Sequence, residues 1–200
     1  MHGSLLDGVD FSNARFTDCD LSGASFRKAN LKWAYLLDCR LDQADFSEAD
    51  LFHTTFDGSS MNASRFTRAN LFGANLNEVT ARGADFTSAY MKDVAMEESD
   101  FSNSDFDACF MQRAVLIGSR LRDSTFYTAV LTGAALEDSD FSQTDLTRAL
   151  VNGARLDNAS FAGANLFMSR FTHAVLNDTD FTGAKNMPSM LRKMIAQANK

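Results

Sequence analysis

The sequence is poor in proline, in cysteine and in basic residues, and each shortage narrows the class of protein. One proline beside eleven glycines in 200 residues excludes a collagen-like chain or a proline-rich linker. Three cysteines cannot form a closed set of disulfides, which favours a reducing compartment, and we expect a cytoplasmic protein. Lys and Arg number 19 against 26 Asp and Glu, and the net charge of −7 argues against direct binding of nucleic acid.

Long apolar runs and targeting signals are also lacking. No apolar run approaches the 18 residues of a membrane-spanning helix, so we expect no membrane partner. Residues 1–4 show no basic segment followed by an apolar one, and no signal peptide is visible. The chain nevertheless has 18 Phe and 45% hydrophobic residues, which argues against disorder.

A strict period of five residues dominates the sequence. Every fifth residue from Leu6 to Phe181 is large and apolar except Ala81, which makes 36 consecutive centres. Two residues before each centre, from Val9 to Ala184, stands only Ala, Ser, Thr, Cys or Val. Neither the helical period of 3.6 nor the strand period of 2.0 produces this pattern. It predicts a chain that turns a corner every five residues, with one large and one small side chain of each quintet pointing inward.

This pattern resembles the pentapeptide-repeat family, whose consensus is A-[DN]-[LF]-x-x. The quintets that match it outright begin with Ala29-Asn30-Leu31, Ala44-Asp45-Phe46, Ala49-Asp50-Leu51, Ala69-Asn70-Leu71, Ala74-Asn75-Leu76, Ala84-Asp85-Phe86 and Ala164-Asn165-Leu166. The resemblance implies an all-β fold, a right-handed quadrilateral β-helix with four quintets in each 20-residue coil. About nine coils would form a rod roughly 43 Å long.

The register fails at Asn186, and we therefore divide the chain into a β-helix over 1–185 and a C-terminal segment over 186–200. The segment is expected to form a short α-helix with one apolar stripe, formed by Met190, Leu191, Met194 and Ile195. Such a helix would cap the last coil, join a partner chain, or do both. In relatives, C-terminal segments of this kind mediate dimers, so the resemblance implies a homodimer.

Catalytic and metal chemistry finds no support in the sequence. No phosphate-binding loop, dinucleotide fingerprint, HExxH motif or nucleophile elbow is present, so we expect no enzyme, no cofactor and no small-molecule substrate. His53 and His173 share a column six coils apart, too far for one metal ion. The three cysteines, Cys19, Cys39 and Cys109, occupy the small inward column and are interpreted as buried filler.

Ten carboxylates fall on one side of the predicted rod, against only Arg15 and Arg155. This set, called the acidic row below, comprises Asp18, Asp38, Asp57, Glu78, Glu97, Glu98, Glu137, Asp138, Asp157 and Asp178. Like charges stacked on neighbouring strands repel one another. The acidic row is therefore either a solubilising surface or a surface kept for a partner.

A second outward set is apolar and is called the apolar stripe below. It comprises Trp33, Phe52, Phe72, Tyr90, Phe110, Val130 and Leu150. A continuous exposed apolar stripe marks an interface, and packing within the ladder is the competing explanation. We expect a protein contact or a dimer surface here.

The resemblance also implies a function. The best-understood members are bacterial proteins that bind DNA gyrase and topoisomerase IV, mimic DNA and confer resistance to topoisomerase poisons such as quinolones or albicidin. The acidic row, the uninterrupted coils and the C-terminal helix suit that group. The alternative is a non-enzymatic interaction scaffold or effector module with another partner, which would depend on the apolar stripe instead.

Overall fold

The protein is a right-handed quadrilateral β-helix closed by one short helix, as the resemblance to the pentapeptide-repeat family and the spacing of the C-terminal apolar residues imply. The computed structural model describes residues 1–198. Parallel bridges join residues 20 apart, from Leu5 with Ser25 to Asn165 with Lys185, so each coil takes 20 residues. One pairing extends over three residues into two short parallel strands, β1 (Arg15–Thr17) and β2 (Tyr35–Leu37). The helix α1 spans Ser189–Ala198.

The core is a column of stacked large side chains inside the coils. Phe and Leu at the quintet centres are almost fully buried from Leu21 to Leu166, and the small residues before them are buried too. One ladder runs Phe26, Phe46, Phe66, Phe86, Phe106 and Phe126, with neighbouring ring centroids 4.8–5.0 Å apart and planes within 7°. This spacing equals that of hydrogen-bonded strands, so ring stacking and backbone pairing reinforce each other.

Each quintet turns through a residue in the left-handed backbone region. Every fifth residue from Gly3 to Gly183 has a φ between 52° and 70°. All eleven glycines of the chain occupy this position, because glycine adopts positive φ without steric penalty. The remaining turns hold other residues there, including the β-branched Thr128 at φ 58°. All the glycines therefore fall at the same position of the quintet, and this marks the turn residue in the sequence. The large and small inward positions alone do not identify that residue.

The two ends of the rod differ. In the first coil Leu6, Phe11 and Phe16 are only half-buried. At the other end α1 follows Pro188 and places Leu191 in the core, with Ile195 packed against it. No helix among residues 1–198 is long and apolar enough to span a membrane. Asn199 and Lys200, the last residues of the predicted segment 186–200, lie outside the described residues.

Candidate protein-interaction surfaces

The acidic row lies in the turns, along one edge of the rod rather than across a flat side. The middle of each flat side is the bridge residue, and the two residues after each quintet centre form the turn. Six of the ten carboxylates occupy the positive-φ position and are exposed: Asp18, Asp38, Glu78, Glu98, Asp138 and Asp178. The other four, Asp57, Glu97, Glu137 and Asp157, precede that position and are half-buried. An edge projects further from the axis than a side does, so these charges are well placed to meet a concave partner.

Ion pairing separates the acidic row from the other acids. Seven carboxylates elsewhere on residues 1–198 have a basic partner within 4 Å, among them Asp100 with Arg82 at 2.7 Å and Asp50 with Lys32 at 2.9 Å. Within the acidic row, the only such pair in the described chain joins Glu137 Oε1 to Arg155 Nε at 2.7 Å. Within this part of the chain, one of the ten carboxylates of the row is paired, against seven of the sixteen acids elsewhere, so the row keeps more of its negative charge than the other surfaces do.

Asparagines and glycines reduce the repulsion along the acidic row. Asn158 and Asn177 donate to the carboxylates of the preceding coil, Asp138 at 3.0 Å and Asp157 at 2.5 Å. The carboxylates of Asp38 and Glu98 extend over the next coil, into the space that a Cβ on Gly58 or Gly118 would fill. Gly58 and Gly118 contribute no side chain to the positive-φ column, and the carboxylates of Asp38 and Glu98 partly fill the space that this leaves.

Asp57 shows the cost of stacking acids. Burial raises the pKa of its carboxyl, and the charges of Glu78 and Asp38 raise it further. Asn75 Nδ2 donates to Asp57 Oδ2 at 3.3 Å, while the buried Asp57 Oδ1 has no hydrogen-bond partner among the described residues. The folded protein therefore retains a charge here that does not stabilise the fold.

The apolar stripe is a continuous set of ring contacts that passes from a turn to a flat side. Phe52 and Phe72 stack at 5.4 Å, and Phe72 meets Tyr90 at 6.0 Å. Tyr90 and Phe110 occupy bridge positions, as do Val130 and Leu150 on the next two coils. Trp33, half exposed, packs edge-on against Phe52. The stripe is partly satisfied by its own stacking and still presents Trp33, Tyr90 and Phe110 to solvent.

Three exposed apolar residues that the sequence analysis missed widen this surface. Tyr127, Phe167 and Met168 lie in the neighbouring turn columns, 41–58% exposed. Met168 lines one depression with Leu150 and another with Met190 of α1. Arg170 lines both depressions, so the apolar stripe and the helix lie next to each other with a basic side chain between them. Sorting these residues by their position in the 20-residue coil would have found them.

The four apolar residues of α1 divide between two tasks. Leu191 is buried in the core and Ile195 packs against it, so these two cap the last coil. Met190 is exposed and Met194 is half-buried. The apolar surface that the cap leaves exposed is therefore centred on Met190 rather than spread over all four residues.

The histidines and cysteines do not form a reactive centre among residues 1–198. No group of three or more metal-ligating side chains occurs in that range. All three cysteines are free thiols. Burial raises the pKa of the Cys39 and Cys109 thiols, which keeps them protonated, and Cys109 Sγ donates to the Phe86 carbonyl at 2.8 Å. His53 stacks flat on Trp33 with centroids 4.4 Å apart.

Comparison with solved structures identifies the same architecture in other proteins. QnrB1, a plasmid-mediated fluoroquinolone resistance protein, aligns in its trypsin-treated form over 98% of this chain and 97% of its own, at 17% identity and a TM-score of 0.56. Its full-length form aligns with a TM-score of 0.51, over 97% and 96% of the two chains at 17% identity. HetL, a regulator of heterocyst differentiation from Nostoc sp. strain PCC 7120, is 25% identical over 89% of both chains, with a TM-score of 0.36. At 17% identity the likeness of QnrB1 shows a shared fold and no more.

Sequence comparison establishes the family. No curated protein sequence matches the chain. The profile for a pentapeptide repeat region matches residues 1–66, and the profile for pentapeptide repeats in eight copies matches 64–103, 109–148 and 139–183. Together they cover nearly the whole β-helix, and the chain belongs to the pentapeptide-repeat family.

Proposed function

We propose that this protein binds a bacterial type II topoisomerase, DNA gyrase or topoisomerase IV, at a surface that otherwise holds DNA. It does so as a non-enzymatic DNA mimic in the cytoplasm, without a cofactor, and it confers resistance to topoisomerase poisons. The observation that carries the proposal is the unpaired charge of the acidic row, beside seven ion pairs on acids elsewhere.

The spacing of the acidic row supports mimicry. From Asp18 to Asp178 the row spans eight coil steps, about 38 Å at the usual strand spacing. Nine of the ten carboxylates are unpaired within residues 1–198, and over that length they average roughly one charge every 4 Å, close to the 3.4 Å phosphate repeat of one DNA strand, with a gap at Ile117 and Gly118. A groove that binds the phosphates of a duplex with Lys and Arg side chains would therefore meet a comparable line of charge.

The fold supports the proposal only in a general way. QnrB1 is a resistance protein against fluoroquinolones and shares the β-helix over 98% of this chain. A shared fold does not by itself determine the partner.

A supercoiling assay with purified gyrase, with and without a quinolone, tests the proposal. We expect inhibition of supercoiling or protection from the poison, and an effect that weakens as salt rises because exposed charges are screened. The variant Glu98→Lys with Asp138→Lys should abolish it. The matched control is Glu48→Lys with Asp123→Lys, which changes the net charge equally on exposed acids outside the row. Equal loss in both variants, or no effect of the native protein at micromolar concentration, would refute mimicry by the row.

A scaffold that acts through the apolar stripe is the second candidate, favoured by the ring contacts from Trp33 to Phe110. An exposed apolar surface of this extent is typical of an interface. Phe110→Asp separates the two candidates. A mimic keeps its gyrase binding in this variant, whereas a scaffold loses the partners that the native protein retains in a pull-down.

We also propose that the protein is a homodimer through its C-terminal region. Met190 is exposed beside Met168, next to the end of the apolar stripe, and it offers a contact that the cap does not use. A dimer of this kind would place two acidic rows on one particle.

A further inference from the structure

The acidic row is interrupted at one coil, the sixth, where its two turn positions hold Ile117 and Gly118. The side chain of Ile117 is half-buried, and so is that of Val115 in the adjoining bridge position. Val115 pairs with Ala95 and Ala135 on the neighbouring coils, so the flat side next to the gap is apolar over three coils. On that side the interruption is an apolar patch, while Arg120 borders Gly118 and Glu98 on the other side.

Carboxylates frame this patch at both ends. Glu97 and Glu98 lie on the preceding coil, and Glu137 and Asp138 lie on the following one. Glu98 leans over Gly118, so that its carboxylate borders the patch directly. The two framing coils are about 10 Å apart, which leaves room for one apolar side chain between two basic ones.

We infer that the partner contacts the acidic row through an apolar side chain docked on Val115 and Ile117, with Lys or Arg side chains on either side facing Glu98 and Asp138. This inference rests on the proposed function and names the chemistry of the partner surface. A central apolar contact inside a charged rim is the arrangement in which a few residues dominate binding. The charges of the row direct the encounter, and the patch at its middle holds the complex.

The substitution Ile117→Asp distinguishes this arrangement from simple charge attraction, because the two predict opposite signs. The substitution adds a carboxylate at the one coil that lacks one. If the partner only follows negative charge, binding becomes tighter. If an apolar side chain docks there, a charge in its place weakens binding by about tenfold or more.

The control is Leu37→Asp, which places the same charge in the same turn column four coils away. Leu37 is half-buried like Ile117 and follows the bridge residue Tyr35 in the same way. Ile117→Ala is the second variant, since it removes the contact without adding charge. Thermal unfolding and circular dichroism establish that each variant is folded before affinity for immobilised gyrase and topoisomerase IV is measured.

Weaker binding by Ile117→Asp and Ile117→Ala, with Leu37→Asp close to native, supports the inference. Equal or tighter binding by Ile117→Asp overturns it and leaves the proposed function standing. If the native protein binds neither topoisomerase, the proposed function fails and the inference fails with it.

Discussion

The carboxylate of Glu98 lies over Gly118 of the next coil, in the space that a Cβ would take. Gly118 has a φ of 68°, so it also meets the demand of the turn for a left-handed residue. One glycine thus serves the backbone and the acidic row together. This relationship leads to the first of four predictions.

Gly118→Ala should destabilise the protein by more than Gly153→Ala does. Both substitutions place a Cβ at positive φ, which costs roughly 1–2 kcal/mol. Only at Gly118 must a neighbouring side chain move as well, because a Cβ on Gly153 meets nothing within 4 Å. Urea unfolding of both variants measures the difference. Equal losses would show that Glu98 relocates freely.

Thr128→Gly should stabilise the protein by about 0.5–1 kcal/mol, because a β-branched residue at positive φ is strained and glycine is not. Thr128 has a φ of 58°. Thr132→Gly is the control on the next turn, at a position without positive φ, where glycine only adds freedom to the unfolded chain and should destabilise. Thermal midpoints of the two variants should move in opposite directions. A lower midpoint for Thr128→Gly would contradict the strain.

Asp57→Asn should raise the thermal midpoint at pH 7 and have less effect near pH 3. The pKa of Asp57 is raised by burial and by Glu78 and Asp38, so the folded state holds its proton more tightly than the unfolded state does. Its stabilising contribution is present below the ordinary pKa of 3.8 and is lost as pH rises through the raised value. At pH 7 the charged carboxylate therefore opposes folding.

Asp157→Asn is the control for that series, since Asp157 lies in the same turn column and accepts a hydrogen bond from Asn177. It should not share the gain at pH 7. A midpoint for Asp57→Asn that stays level with the native protein across pH 3–7 would contradict the effect of burial.

Met190→Asp should convert a dimer to a monomer with little loss of stability, because Met190 is exposed. Leu191→Asp should instead lower stability strongly, since it buries an unpaired charge in the core. Light scattering after gel filtration gives the mass, and thermal unfolding gives the stability. A native protein that is already monomeric at high micromolar concentration would contradict the proposed dimer.

The fold was predictable from the sequence because the inward residues of a stacked coil face identical constraints at every turn. From Leu6 to Ala184 these constraints on side-chain size appear as a large apolar residue at each centre and a small residue two positions before it. The prediction of a short C-terminal helix is also confirmed. It was possible because the apolar residues after Asn186 follow a helical spacing instead of the five-residue repeat. The members of the acidic row and of the apolar stripe can be assigned from the sequence, because residues 20 apart stack on successive coils.

The sequence did not show how those surfaces are built. It placed the ten carboxylates on a side, whereas the turns put them along an edge. It treated Met190 and Leu191 alike, whereas one is exposed and the other is buried. It also missed Tyr127, Phe167 and Met168, which adjoin the apolar stripe only across a corner of the coil.

The sequence by itself determined the turn at every fifth residue and the residues that fill the core, because both depend on a local period repeated along the chain. The 20-residue coil was implied by the family resemblance that this period carries. The tertiary structure alone decided which carboxylates form ion pairs and which do not, because a basic side chain can contact an acid on its own coil or on a neighbouring one. Arg155 reaches Glu137, whereas Arg15 lies over the ring of Tyr35 and neutralises no member of the acidic row. These contacts depend on the angle at which each side chain leaves a turn or a flat side, and that angle exists only once the coils are stacked.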